Sequence, residues 1–243
     1  MYSTEVNGEV LEFGTSGLLY RSNKLMYDQG THTLWRQFTG EPVVGRLAGS
    51  GIKLEILPVV LTTWGDWQAA HPDTTVLSPE TGLYSAETYT PERDPESIYF
   101  QYRQQPSTMF PVWEKSGLLP EKQEVLGLLL GGEARAYPLE ALQSQPVLND
   151  RAGGENLVII TLGEVAAARA YERGNLVFTV SESGEGGVGS LILTDESGDE
   201  WRVEEAALLK ISDSAQLLPR LPSHVAYWFG WYAFNPNTSV YGM

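Results

Sequence analysis

The stretch GGEARAYP, residues 131–138, places three polar side chains on one side of a strand-like segment. Alternate residues of a strand share a face, so Glu133, Arg135 and Tyr137 project together. A guanidinium beside a carboxylate has two uses. It pairs with that carboxylate or with one on a neighbouring strand, or it lines a polar cleft and meets an anionic ligand. Asn149-Asp150, just ahead of Gly153-Gly154, reads first as a turn and second as another polar contact. Glu133, Arg135, Asn149 and Asp150 are therefore candidate ligand-binding residues.

His71 is the fifth candidate. It sits in TTWGDWQAAHPDTTVL, residues 62–77, after two tryptophans spaced i, i+3. A metal centre built on imidazoles needs two or three of them converging. The chain has three histidines, and neither HxH nor HExxH occurs, so no metal ligand is assigned. A helix end also favours histidine as a cap, which is the plainer reading. Trp64 and Trp67 could stack on a sugar or fill a core, and the core reading is preferred. Ser16 in GTSGLLY lacks the G-x-S-x-G spacing of a nucleophile elbow. No spacing singles out two carboxylates for glycosidic chemistry, and no residue is assigned a catalytic role.

The chain has 243 residues, a net charge of −15 and no cysteine. The charge argues against phosphate-backbone binding, so no nucleic-acid partner is expected. The missing cysteines remove disulfides and thiolate chemistry. No apolar run is long enough to span a membrane. The N-terminal residues MYSTEVNGEVLEFG have neither a basic nor an apolar region of a signal peptide, so none is expected here.

The chain contains an internal repeat of about 70 residues. Trp64, Trp67, Pro72, Thr74 and Val76 align without gaps on Trp228, Trp231, Pro236, Thr238 and Val240. MYDQGTHTLW (26–35) resembles LTDESGDEW (193–201), and Asn235 stands where His71 does. The second copy is preceded by a block from Val125 to Tyr171 with no counterpart ahead of the first. The expected organisation is residues 1–77 as the C-terminal part of a first unit, 78–120 as a Pro/Tyr-rich connector and 121–243 as a complete second unit. The first unit reads as shortened, naturally or by truncation. The connector is expected to pack through Tyr99, Phe110 and Trp113.

Short β-rich runs separated by Gly, Asn and Asp dominate, among them KLMYD, SIYFQY, VLGLLL, EARAY, LVIIT and EWRVE. The fold expected is mainly β: two related β-rich units, barrel or sandwich-like, each closed by a short aromatic helix. A turn is expected at Gly131-Gly132 and a helix over PLEALQ.

The motifs FGTSGLLY, LWRQFTGEPVVGRLAGSGIKLEILP, TTWGDWQAAHPDTTVL, GGEARAYPLEAL and VLNDRAGG, in this order, resemble domain-of-unknown-function family 3179 of bacteria and archaea. The resemblance spans nearly the whole chain and implies no established activity. It implies an exported or envelope-associated setting. It also implies, in longer relatives, a preceding block with a cysteine pair that could hold a metal or cycle as a dithiol. No cofactor is expected from this chain. The function expected is a non-enzymatic β-rich binding or assembly domain with a small-molecule or protein partner. Two alternatives are an inactive, truncated relative of an extracytoplasmic metal- or thiol-dependent redox protein, and a carboxylate-based hydrolase.

Overall fold

A computed structural model describes residues 1–59, 61–89, 94–162, 167–181 and 191–243, with only the backbone described at Ala86, Leu162 and Ala167. Strands β1 (Glu5–Val6) and β2 (Glu9–Val10) form a minimal hairpin. β3 (Phe13–Tyr20), β4 (Asn23–Asp28), β5 (Leu34–Arg36) and β6 (Pro42–Val44) make an antiparallel meander. Helices α1 (Trp64–Ala70) and α2 (Ile98–Gln104) follow. β7 (Glu124–Leu130) and β8 (Glu133–Pro138) form a hairpin that runs into α3 (Leu139–Gln143). Next come β9 (Val147–Ala152), β10 (Glu155–Leu162), β11 (Ala167–Glu172) and β12 (Phe178–Val180). β13 (Ile192–Asp195), β14 (Glu200–Val203), β15 (Ala207–Lys210) and β16 (Leu217–Leu221) continue the sheet. β17 (Ser223–Tyr227), α4 (Trp228–Phe234) and β18 (Ser239–Val240) end the chain's regular structure.

Strand outweighs helix, 38% against 13%, so the protein is mainly β. Eight strands in the order β12-β13-β14-β15-β16-β11-β10-β9 curl into a nearly closed barrel. The two end strands meet through a side chain instead of a backbone ladder. Asn149 on β9 donates from Nδ2 to the Phe178 carbonyl at 2.8 Å, and its Oδ1 accepts from the Phe178 amide at 2.9 Å. The side-chain amide thus takes the role of a peptide group in a neighbouring strand.

The apolar alternation of β10 explains the layering. Val158 and Ile160 face the barrel interior with Tyr171, Phe178, Leu193, Trp201 and Leu208. Leu157 and Ile159 face outward onto Leu126, Leu128, Tyr137 and Leu142. The β7–β8 hairpin is buried on its other side as well, where Val125 and Ala136 pack on Trp228, Trp231 and Val240. Gly131 and Gly132 make the hairpin turn with φ of 53° and 82°, a region open to glycine without steric cost. On β7, Gly127 allows the closest approach: a Cβ there would lie 2.2 Å from a ring carbon of Trp231.

Segments that align in the sequence share local geometry. Trp35 donates from Nε1 to Asp28 at 2.9 Å, and Trp201 donates to Asp195 at 2.9 Å. Each carboxylate also accepts from backbone amides of its own turn: Thr31 for Asp28, Ser197 and Asp199 for Asp195. Phe13 meets Trp35 edge-on at 5.6 Å, as Phe178 meets Trp201 at 5.7 Å. Trp67 donates to Thr74 at 3.0 Å, and Trp231 to Thr238 at 2.9 Å.

Several expectations are corrected. SIYFQY is helical: Ser97 caps α2 by accepting from the Tyr99 amide, and this local cap overrides the β-prone side chains. In the connector Phe110 packs edge-on against Phe229 at 5.8 Å, but Tyr99 and Trp113 are exposed. The connector is held instead by Ser22, which donates to the Pro111 carbonyl and accepts from the Trp113 amide. Trp228 and Trp231 are core residues, whereas Trp64 is 49% exposed. Residues 74–77 form no strand, unlike β18.

Replacing Asn149 by Ala leaves both backbone groups of Phe178 without a partner. The expected loss is about 2 kcal/mol, from two hydrogen bonds of about 1 kcal/mol each. A lower urea midpoint together with faster amide exchange at Phe178 is the expected result; an unchanged midpoint would show that the seam closes without this amide.

Candidate functional site

The sequence candidates separate into three places. Arg135 and Asp150 are brought together. Arg135 donates from Nε to Asp150 Oδ2 at 3.0 Å, and the Tyr137 hydroxyl donates to the same oxygen at 2.8 Å. Arg135 also reaches Ser239 on β18, and its guanidinium lies over the rings of Tyr137 and Tyr241. Burial, reinforced by the Asp150 carboxylate, pushes the Tyr137 hydroxyl well above the ordinary range, so it stays a donor. Glu133 sits at the start of β8 and accepts from the Gly153 amide at 3.3 Å. These bonds tie β8, β9, β18 and the turn after β9 into one polar corner.

Asn149 is one residue away in sequence, but its amide points along the seam to Phe178. His71 belongs to neither group. It ends α1, where its amide donates to Trp67 O at 2.8 Å and its ring lies 4.1 Å from the Trp67 ring centre. Ser16 donates to the Leu25 carbonyl at 2.7 Å within the β3–β4 pair, beside a break in its register, and so braces a bulge. Among the described residues no group of three His, Asp or Glu side chains could hold a metal ion, and no helix is long and apolar enough to cross a membrane.

A different set of residues lines a cleft of about 540 Å³ between the β3–β6 meander and the β17–α4 segment. That volume is in the range of small-molecule sites, which are mostly apolar with a few placed polar groups. Phe13, Met26, Phe38, Tyr227 and Phe229 supply apolar and aromatic wall. Phe38 is the junction: it stacks on Phe234 at 4.8 Å and on His224 at 5.6 Å. Burial lowers the His224 pKa, which favours a neutral ring.

Two residues of the cleft lining each carry a buried polar atom without a hydrogen-bond partner, the Tyr2 hydroxyl and Asn23 Oδ1. Buried polar groups are nearly always bonded, so each such atom calls for an explanation, and a ligand is one. Burial and then the Glu41 charge push the Tyr2 hydroxyl up to about 12, which keeps its proton in place as a donor at neutral pH. Asn23 follows a turn in which Arg21 and Ser22 both have positive φ, 47° and 65°. Because Tyr20 pairs with Asn23, these two residues form the two-residue primed turn that suits the twist of the β3–β4 hairpin. The turn is braced by Arg21, which donates to the Ala233 carbonyl, and by Ser22 on the connector.

Nothing local in the sequence pointed to this cleft. Its walls come from residues near 2, 23, 38 and 224–230, and Asn23 there reads as ordinary turn chemistry. His224 was legible only as one of three histidines.

The protonation of His224 makes a pH prediction. Its folded pKa is lowered below the unfolded value of about 6.5, so the stabilising neutral state is fully present above that pH. Stability should fall as pH drops below about 6.5, because the unfolded chain takes up the proton more readily. Unfolding midpoints measured from pH 8 to 5 should show this slope, and His224→Leu should flatten it. An equal slope in the variant would assign it elsewhere.

The model of a family described as "Protein of unknown function (DUF3179)" matches residues 1–238. Neither a curated protein nor a solved structure matches the chain.

Proposed function

The chain belongs to the DUF3179 family, and from that premise we propose that it is a non-enzymatic binding module whose ligand site is the cleft between the meander and β17–α4. The supporting observation is the pair of unpartnered polar atoms, Tyr2 Oη and Asn23 Oδ1, among aromatic walls. We also propose the division into residues 1–77, 78–120 and 121–243, with the cleft where the first and last of these meet.

The chemistry of the walls sets the ligand class. Tyr2 offers an O–H donor and Asn23 an acceptor. No lining side chain named above supplies a fixed charge once His224 is neutral, although the Met1 α-amino group also lines the cleft. The chain's net charge of −15 disfavours anions. A neutral, partly aromatic molecule carrying one acceptor and one N–H or O–H donor fits. A primary amide on an aromatic ring is the simplest example.

The hydrolase reading finds less support. Of the acidic side chains among the binding candidates, Asp150 is bonded to Arg135 and Tyr137, and Glu133 accepts from a backbone amide. A general acid or base must be free to reach a substrate proton. Both groups are occupied in holding strands together.

Benzamide tests the reading. Saturation-transfer NMR and amide shift changes should show saturable binding at residues of the meander and β17, with benzoate binding at least tenfold more weakly. Asn23→Ala should weaken benzamide about tenfold, equal to about 1.4 kcal/mol. If benzamide, phenol and indole all leave the cleft resonances unmoved, the cleft is not a site for this class.

A further inference from the structure

The imidazole of His224 is fixed in its plane but not hydrogen-bonded. β17 sets the residue opposite Gly127 of β7, and its ring stacks on Phe38 with the two planes 22° apart. Phe38 is itself held by the Phe234 stack and lies 6.0 Å from the Trp231 ring. Neither imidazole nitrogen has a hydrogen-bond partner among the described residues, and both keep some exposed surface. The half-buried ring lines the cleft together with Tyr2 and Asn23. A second cavity, of about 390 Å³, shares residues 224–227 with that cleft. A polar ring that is oriented by packing, left without a partner and set beside open space is available to a ligand.

The surroundings keep this ring neutral at neutral pH. Burial comes first, and the Met1 α-amino group and Lys53 then oppose a further positive charge. Arg103 and Glu124, one charge of each sign, line the second cavity. Arg36 and Glu41, which flank Phe38 in sequence, pair with each other at 3.0 Å. Among the described residues no carboxylate bonds the imidazole to favour its charged form. A neutral imidazole offers one N–H donor and one acceptor lone pair.

We infer that the cleft selects a primary amide, with the His224 lone pair accepting the second N–H of the ligand's NH₂ group. This rests on the reading of the cleft as the ligand site. Tyr2 supplies a donor, Asn23 Oδ1 an acceptor and His224 a second acceptor. A primary amide carries the complement: one acceptor oxygen and two N–H donors. A secondary amide has one N–H and an ester has none, so each leaves an acceptor of the site unpaired. A site built to bond an N–H discriminates strongly against analogues that lack it. Protonation inverts the preference. An imidazolium has two donors and no lone pair, so it rejects the NH₂ group and suits a carboxylate. Amide binding and proton uptake therefore compete at His224, each weakening the other.

Benzamide, N-methylbenzamide and benzoate, titrated into the full chain at pH 7.5 and pH 5, test this by NMR with the His224 ring signals in view. At pH 7.5 benzamide should bind at least tenfold more tightly than N-methylbenzamide. At pH 5 benzamide should weaken, and benzoate should gain on it. Saturating benzamide should move the His224 ring titration to lower pH. His224→Leu should weaken benzamide about tenfold and abolish its advantage over the methylated probe. His224→Gln, whose side-chain oxygen accepts an N–H, should restore that advantage without pH dependence. Urea midpoints at both pH values establish that each protein tested is folded. The inference is overturned if the methylated probe binds as tightly as benzamide, or if the advantage survives in His224→Leu, which would make it steric. It is equally overturned if the ring titration stays unmoved or benzoate gains nothing at pH 5. Each of those results leaves the cleft standing as a benzamide site, whereas failure of all three probes to bind removes the inference and the reading together.

Discussion

The indole of Trp231 occupies the space that a side chain at residue 127 would fill. That contact joins the layers of the molecule. On one side of β7 lies the core shared with the barrel wall, on the other the core under α4. Because Trp231 sits directly on backbone, α4 approaches the hairpin closely enough for Trp228 and Val240 to be buried in the same cluster. α4 in turn carries Phe234, and Phe38 of the first meander stacks on it. Any larger residue at 127 would lift the helix and loosen the meander's seat together. Shape complementarity at one point thus propagates through three packed layers, as expected for interiors packed at crystal-like density.

Two-sided burial is the second organising feature. β10 and the β7–β8 hairpin are shared walls, each with apolar side chains on both faces. Polar groups consequently collect where walls meet. The Arg135–Asp150–Tyr137 corner lies between β8 and β9. A second cluster pairs Arg169 and Arg220 with Glu205, at 2.5 Å and 2.8 Å, with both arginine side chains almost fully buried. Burial opposes the charge on Glu205, but the two guanidiniums outweigh it and hold its pKa down. The desolvation cost of such pairs offsets much of their attraction, so they add little net stability, whereas removing one partner leaves a buried charge uncompensated.

Much of this was legible in the sequence, for identifiable reasons. The Gly131-Gly132 turn, the helix after Pro138 and the aligned tryptophans all rest on local chemistry or on fixed spacing. The coplanar trio in β8 followed from strand alternation, and two of its members do meet Asp150. SIYFQY misled because its Ile, Tyr and Phe favour strands, while a single cap at Ser97 decided for helix. The cleft was illegible because its walls are brought together only by tertiary packing. Asn149 was singled out as polar and near a turn, but no local pattern marks it as facing Phe178. The separation between them is 29 residues, and no periodic pattern reports a contact of that range.

The Asn149 seam has a consequence for how the barrel assembles. Every other junction in the barrel is a ladder that can grow residue by residue from a turn or a neighbouring contact. The seam has no such gradual route, since one amide must meet both backbone groups of a single residue at once. Its loop-closure entropy is recovered only when β9 and β12 are already placed. Closure of the barrel therefore belongs late in folding, after the ladders that flank it. Until then β9 and β12 present open edges, and the nascent barrel is a curled sheet able to admit a strand from elsewhere.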